Sequence, residues 1–251
     1  MMQRSSFLAV LAALATAIAI TPATAAAQPS GTRYKLDLPP SAELNYAIKA
    51  KEMGLTLSGE GRIWWQTDNK TFSAAMETSA MIVGKIHQSK SEGVIDAHGL
   101  APLQFTEKRF RKPENSVDFD RKEKQIRFSL SERTYPIKGG EQDRTSAIFQ
   151  LVAIARGNPD RFTEGSRWEF FVAGRNDGEP WIFNVGKQET LRTPMGNIEA
   201  IHVIKAPPPD APDRKIDLWL APSLEWYPLR IRFTDSGTEY IEQTLQTIAA
   251  Q

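Results

Sequence analysis

The sequence predicts a mainly β protein: a single large, curved antiparallel sheet, an open or half barrel of about ten or eleven strands, with one long helix packed on its concave side. Three observations predict it. After Pro40, apolar and polar residues alternate with a period of two over most of the chain. Turn signals such as TDNKT and GRNDGE recur at short spacing. One segment, QDRTSAIFQLVAIARGNP, breaks the alternation and spaces Ala147, Ile148, Leu151, Val152, Ile154 and Ala155 by threes and fours.

The first 30 residues, MMQRSSFLAVLAALATAIAITPATAAAQPS, have another character. Arg4 is followed by an apolar run from Phe7 to Ile20 and then by small residues. This is the layout of a secretory signal peptide, and the run is shorter than the roughly 20 residues of a membrane span. Cleavage is expected after Ala27. Residues 28–40, with Pro29, Pro39 and Pro40, are expected to form a tether, and residues 41–251 one β-rich domain. A mature chain of about 224 residues is long enough to bury a sizeable core.

The strands follow in order. In LTLSGEGRIWWQ, Leu55, Leu57, Ile63 and Trp65 share one face and Trp64 the other, while Gly59 and Gly61 suit a bend or a close backbone approach. TFSAAMETSAM, GKIHQSKSEGVI and LQFTEKRF continue the pattern. SVDFDRKEKQIRFS is a hairpin that sets Val117 and Phe119 against Ile126 and Phe128. The helix comes next, with Asp143 or Thr145 as its cap and Gly157 and Pro159 at its end. SRWEFFVA, PWIFNVGKQETL and NIEAIHVIKA resume the sheet. The proline-rich PPPDAPDR is a loop, and the hairpin KIDLWLAPSLEWYPLRIRF and TEYIEQTLQTI close the chain.

In that last hairpin Ile216, Leu218 and Leu220 point inward with Leu229, Ile231 and Phe233. Asp217, Trp219, Arg230 and Arg232 then share the outer face. An Asp217–arginine pair and a Trp219–arginine cation–π contact account for the arginines without a ligand.

Composition narrows the function. Removal of Arg4 leaves 30 basic against 30 acidic residues, which argues against nucleic acid and gives no support for adhesion to anionic lipid. There is no cysteine, hence no disulfide and no lipoprotein-type anchor. His87, His98 and His202 lie at no ligand spacing, so no metal site is expected. No nucleophile elbow, Walker loop or dinucleotide fingerprint occurs, and no catalytic residue or cofactor is assigned. The expectation is a periplasmic, non-catalytic binding or carrier protein for an apolar or amphipathic envelope ligand, a lipid or acylated molecule. Its expected groove is lined by Trp64, Trp65, Leu151, Phe171, Trp181 and Trp219. The alternatives are an accessory protein of envelope biogenesis acting through a protein partner, and a hydrolase.

LPPSAELNYAIKA, LSGEGRIWW, SVDFDRKEKQIRFS, QDRTSAIFQLVAIA and DLWLAPSLEWYPLRIRFTDSGTEYIEQTL resemble, in order, segments of the DUF3108 family, exported proteobacterial proteins of no established function. The likeness runs from about Leu38 to Leu245. Its most specific parts are the Asp143–Ser146 helix entry and the terminal hairpin. The family has no agreed catalytic residues, so the resemblance implies none. The terminal hairpin is also similar to one in periplasmic lipoprotein-carrier proteins. That second likeness implies an open, strongly curved sheet with helices on its concave side and a cavity for acyl chains. Those carriers place several helices there, whereas this sequence supplies one.

Overall fold

A computed structural model describes residues 31–52, 55–81, 84–207, 215–236 and 239–251. The expected signal peptide and the proline-rich loop from Pro208 onward lie outside them. The strands are β1 (Ala42–Glu52), β2 (Leu55–Thr67), β3 (Thr71–Ala80), β4 (Gly84–Asp96), β5 (Gly99–Arg109), β6 (Asn115–Asp120), β7 (Gln125–Phe128), β8 (Ser131–Pro136) and β9 (Gln142–Asp143). After α1 (Ser146–Gly157) come β10 (Arg167–Ala173), β11 (Gly178–Thr193), β12 (Gly196–Lys205), β13 (Lys215–Leu220), β14 (Pro228–Ser236) and β15 (Glu239–Ala250).

All belong to one 15-stranded sheet that does not close by hydrogen bonds. β1 lies at its centre, between β2 and β15, so the first half of the chain runs outward to β8 and the second half returns from the other edge at β9 to the middle. Every neighbouring pair is antiparallel except β9 and β10. Parallel neighbours need a crossover, and α1 supplies it, which is how the helix comes to lie over the sheet. The strand count exceeds the expected ten or eleven. β8 is mostly exposed and β9 has two residues, so neither shows a period in the sequence.

The sheet curls around α1. Every helix residue except Arg156 is buried, and the helix carries no charge before its last turn. Its core includes Leu44, Ile63, Trp65 and Phe72 from the first half and Phe170, Phe183, Leu218, Leu229 and Ile231 from the second. Bulges at Asn45/Tyr46, Glu92/Gly93 and Val185/Gln188 help long strands bend.

The curl overlaps itself. On β10, Trp168, Phe170 and Val172 face the main core, whereas Phe171 and Ala173 join a second cluster with Phe105, Val117, Phe119, Ile126 and Phe128 of β5–β7. The β9–β10 end therefore tucks inside the wall made by β5–β8, like the inner edge of a scroll. Tyr135 of β8 packs on Phe171 with 5.0 Å between ring centroids. Side chains, not ladder bonds, close the sheet.

Candidate functional site

The helix occupies the concave face of the sheet. Asp143 caps the helix. Its Oδ1 accepts the N–H groups of Thr145 (2.8 Å) and Ser146 (2.9 Å), while its own N–H donates to Ser146 Oγ (2.9 Å). This is a reciprocal capping box at the helix entry, with Asp143 rather than Thr145 as the capping side chain. The other carboxylate oxygen accepts from Ser91 Oγ on β4, and Thr145 Oγ1 meets Ser89 Oγ at 2.9 Å. The helix entry is thus tied to the sheet by two hydroxyl contacts. Burial pushes the Asp143 carboxyl up to about 6, against the pull of those hydrogen bonds.

Mid-helix, Gln150 substitutes for a strand. Its Oε1 accepts from the Leu100 N–H (2.9 Å) and its Nε2 donates to the His98 carbonyl (2.9 Å), satisfying backbone at the β4–β5 turn. At the helix end, Arg156 pairs with Asp37 (3.2 Å) and with Glu225.

Residues 31–40, expected to be a tether, form a strap over the helix. The Asp37 N–H donates to the Ala153 carbonyl (3.0 Å), and Asn158 Nδ2 donates to the Lys35 carbonyl (2.7 Å). Tyr34 packs edge-on against Trp168 with 5.3 Å between centroids. Trp65 Nε1 donates to the Pro39 carbonyl (2.9 Å), and the Tyr227 hydroxyl donates to the Pro40 carbonyl. A void of about 20 Å³ beside Tyr34, Gln150 and Phe170 has room for a single water.

Of the six expected lining residues, Trp65, Leu151, Trp181 and Trp219 belong to the main core cluster, and Phe171 and Trp64 lie apart from it. Trp65 and Leu151 are fully buried in the main core, where Trp65 stacks on Phe149. Phe171 lies in the second cluster. Trp181 is a core residue with its Nε1 on Glu179 (3.0 Å) and Lys205 over its ring. Trp64 sits on the outer face under Arg62, 5.5 Å from the ring centroid.

Trp219 is also on the outer face, yet it is buried. His202 stacks on it, 4.4 Å between centroids and 3° from parallel, and the Arg230 guanidinium lies over its ring, 5.7 Å from the centroid. The expected cation–π contact is therefore present. The expected Asp217–arginine pair is not: Asp217 bonds His202 (2.8 Å) and Lys215 (3.3 Å), and both Arg230 and Arg232 lie 3.8 Å from Glu242. Cross-strand register puts His202 beside Trp219, which no linear spacing reveals. Burial alone would raise the Asp217 carboxyl, but bonds from His202 and Lys215 hold it below its ordinary value. His202 presents its second nitrogen to Glu189 (3.5 Å), so both ring nitrogens face carboxylates and neither is open as a general base.

Among the described residues no group of three or more His, Asp or Glu is placed to hold a metal ion, and no helix is long and apolar enough to cross a membrane.

The chain is similar in fold to a β-barrel-like protein of the domain of unknown function DUF1849 from Brucella abortus, with a TM-score of 0.55 and 14% identity over 86% of this chain and 99% of that one. A DUF1329 family protein from Desulfovibrio piger aligns with a TM-score of 0.30 at 8% identity, covering 86% of this chain and 87% of that one. A domain described as a candidate outer membrane lipoprotein-sorting protein from Vibrio parahaemolyticus aligns with a TM-score of 0.29 at 7% identity, covering 84% and 86%. Alignment at those two lower levels does not establish a shared fold. A comparison with curated proteins finds no match. The family model for DUF3108, a protein of unknown function, matches residues 44–244, and the chain belongs to that family.

Proposed function

We propose that this protein is a non-catalytic, periplasmic accessory protein of the cell envelope that acts through contacts with a protein partner on the outside of its sheet. The observation that carries this reading is the filled concavity. A site for a lipid or similar ligand is a cleft of some 300–1,000 Å³, and here α1 and the strap take that space. The layout of residues 1–27 supports export. The pairing of β1 with β15 supports one folding unit over residues 41–251.

A second reading keeps the carrier for an apolar or amphipathic ligand, with Trp65, Leu151 and Trp181 of the main core exposed to it. One observation favours it. The helix is held by side-chain bonds at its ends and at Gln150 and by an irregular strap, not by backbone ladder pairing along its length. A ligand that displaced the helix would inherit an apolar trough.

Native mass spectrometry of the protein purified from an envelope extract, followed by lipid extraction, separates the two. The expected result is the mass of the chain alone, with in-cell cross-linking yielding a defined protein adduct. A stoichiometric acyl ligand would overturn the first reading in favour of the second.

A further inference from the structure

Arg144 lies in the helix entry between Asp143 and Thr145, and a second polar layer faces it. Thr145 touches Ser89 on β4. Ser89 is opposite Glu107 on β5, and Glu107 is opposite Asn115 on β6, so the three form one cross-strand row. All three are buried. On the other side, the β9–β10 register sets Asp143 against Ala173, so Arg144 comes beside Gly174. A Cβ on Gly174 would stand 3.1 Å from the Arg144 guanidinium. Arg144 therefore fills the seam between the β5–β6 wall and the turn after β10.

The groups in this seam are not matched to one another. Glu107 Oε1 meets His87 Nε2 (3.1 Å) and Arg109 (3.0 Å), but its Oε2 is buried with no partner. Asn115 is 2% exposed, and neither its Oδ1 nor its Nδ2 has a partner. Arg144 makes no hydrogen bond or ion pair among the described residues and senses Glu107, Asp177 and Glu179 only at longer range. Arg144 is only partly buried, but a buried amide with all its valences empty is costly. Within the seam Arg109 and Glu107 pair, and Asp177 and Glu179 act on Arg144 from further off. Its mouth is at His87 and Arg109, whose side chains are 33% and 41% exposed.

We propose that Arg144, Asn115 and Glu107 form a binding site for a small protonated oxyanion, a free phosphate or the phosphomonoester end of a larger molecule. The Arg144 fork and Asn115 Nδ2 donate to unprotonated oxygens. The P–OH group donates to Glu107 Oε2, the acceptor left empty. Sulfate has no such proton at neutral pH, so the same carboxylate repels it. A phosphomonoester, whose second pKa is about 6, binds as its monoanion and so more tightly toward acid pH. The site selects by a proton, not by size. It lies in the seam of the scroll and is independent of how the concavity is used.

Isothermal titration calorimetry of the purified protein with sodium phosphate and sodium sulfate at matched ionic strength tests this. Phosphate is expected to bind at least about tenfold more tightly, and to raise the melting temperature where sulfate does not. Asn115→Ala removes no existing hydrogen bond and is expected to weaken phosphate about tenfold, with Arg144→Gln weakening it further. Glycerol phosphate and phosphatidylcholine vesicles containing phosphatidic acid, run in parallel, tell a free from a lipid-borne phosphate. Equal affinity for phosphate and sulfate, no binding by any of these probes, or an unchanged affinity in Asn115→Ala would overturn the proposal. The first would mean unspecific screening, and the second a seam filled by water.

Discussion

Trp65 lies flat on Phe149, with 4.3 Å between ring centroids and 9° between planes. One ring comes from β2 and the other from α1, so this pair joins the sheet to the helix that fills it. Phe72 also stacks on Trp65 at 6.1 Å, and the indole N–H reaches the strap at Pro39. Such a residue is a packing element. Trp65→Ala is expected to cost about 3–5 kcal/mol. Trp65→Phe, which keeps a ring but drops the strap bond, is expected to cost about 1 kcal/mol more than repacking alone. A double-mutant cycle with Phe149→Ala should show a coupling of about 0.5–1.5 kcal/mol in urea unfolding. A cost for Trp65→Ala within about 0.5 kcal/mol, the range for surface sites, would contradict the packed concavity.

Asp143 gives the protein a pH dependence of defined sign. Its carboxyl titrates at 3.8 in the unfolded chain and at about 6 when folded. Between those values the folded state binds more protons than the unfolded one. Its contribution to stability is therefore complete below 3.8 and is lost as the pH rises through about 6. Glu107 acts oppositely. Burial alone would raise its carboxyl, but His87 and Arg109 hold it down to about 2, so its contribution is present above 4.5 and is lost as the pH falls toward 2. Urea midpoints measured across this range should decline on the neutral side of the window. Asp143→Asn keeps the Oδ1 acceptor for the helix entry and removes the titration, so it should flatten that decline. An unchanged decline in the variant would assign it to another group.

Gly157 sets how closely the strap approaches the helix. A Cβ there would stand 2.5 Å from the Lys35 carbonyl oxygen, which is backbone and has little room to give. Gly157→Ala is expected to push the strap off the helix end and to disturb the Asn158–Lys35 bond. The cost should be about 1–3 kcal/mol, as for other overpacked sites. Limited proteolysis should then cut within residues 31–40 faster than in the parent protein. A variant as resistant as the parent would show that the strap is not what closes the concavity.

What the sequence discloses here is sidedness, not partners. Alternation in β2 puts Trp65 on the inner face, but an inward tryptophan looks the same whether a ligand or a helix meets it. The helix entry was legible because Asp143 and Ser146 act locally, within one turn. The sharing of Asp143 with Ser91, 52 residues away, was not. β8 escaped because its residues are mostly exposed and so show no alternation, and β9 because two residues have no period. Phe171 lies on the face of β10 opposite Trp168, Phe170 and Val172. That face is nonetheless core, because the scroll brings β5–β7 over it. Its burial depends on a contact between the two ends of the sheet, and no local pattern encodes that.

That contact also defines where the fold should open first. The wall over β10 is made of β5 and three short strands, β6 to β8, with β8 a free edge of the sheet. It is held to β10 through Phe171 and Ala173, with Tyr135 and Phe128 stacked edge-on beside them at 5.9 Å. The central strands β1, β2 and β15 are flanked on both sides by long ladders. Local opening follows the regions with the fewest such supports. Phe171→Ala removes the largest inner-edge side chain of the second cluster and is expected to cost about 3–5 kcal/mol. Most of that loss should appear as faster amide exchange in β6–β8, with β1 and β15 exchanging only by global unfolding. If exchange instead rises uniformly across the sheet, the scroll seam and the central strands open as one unit, and the wall is as firmly held as the middle.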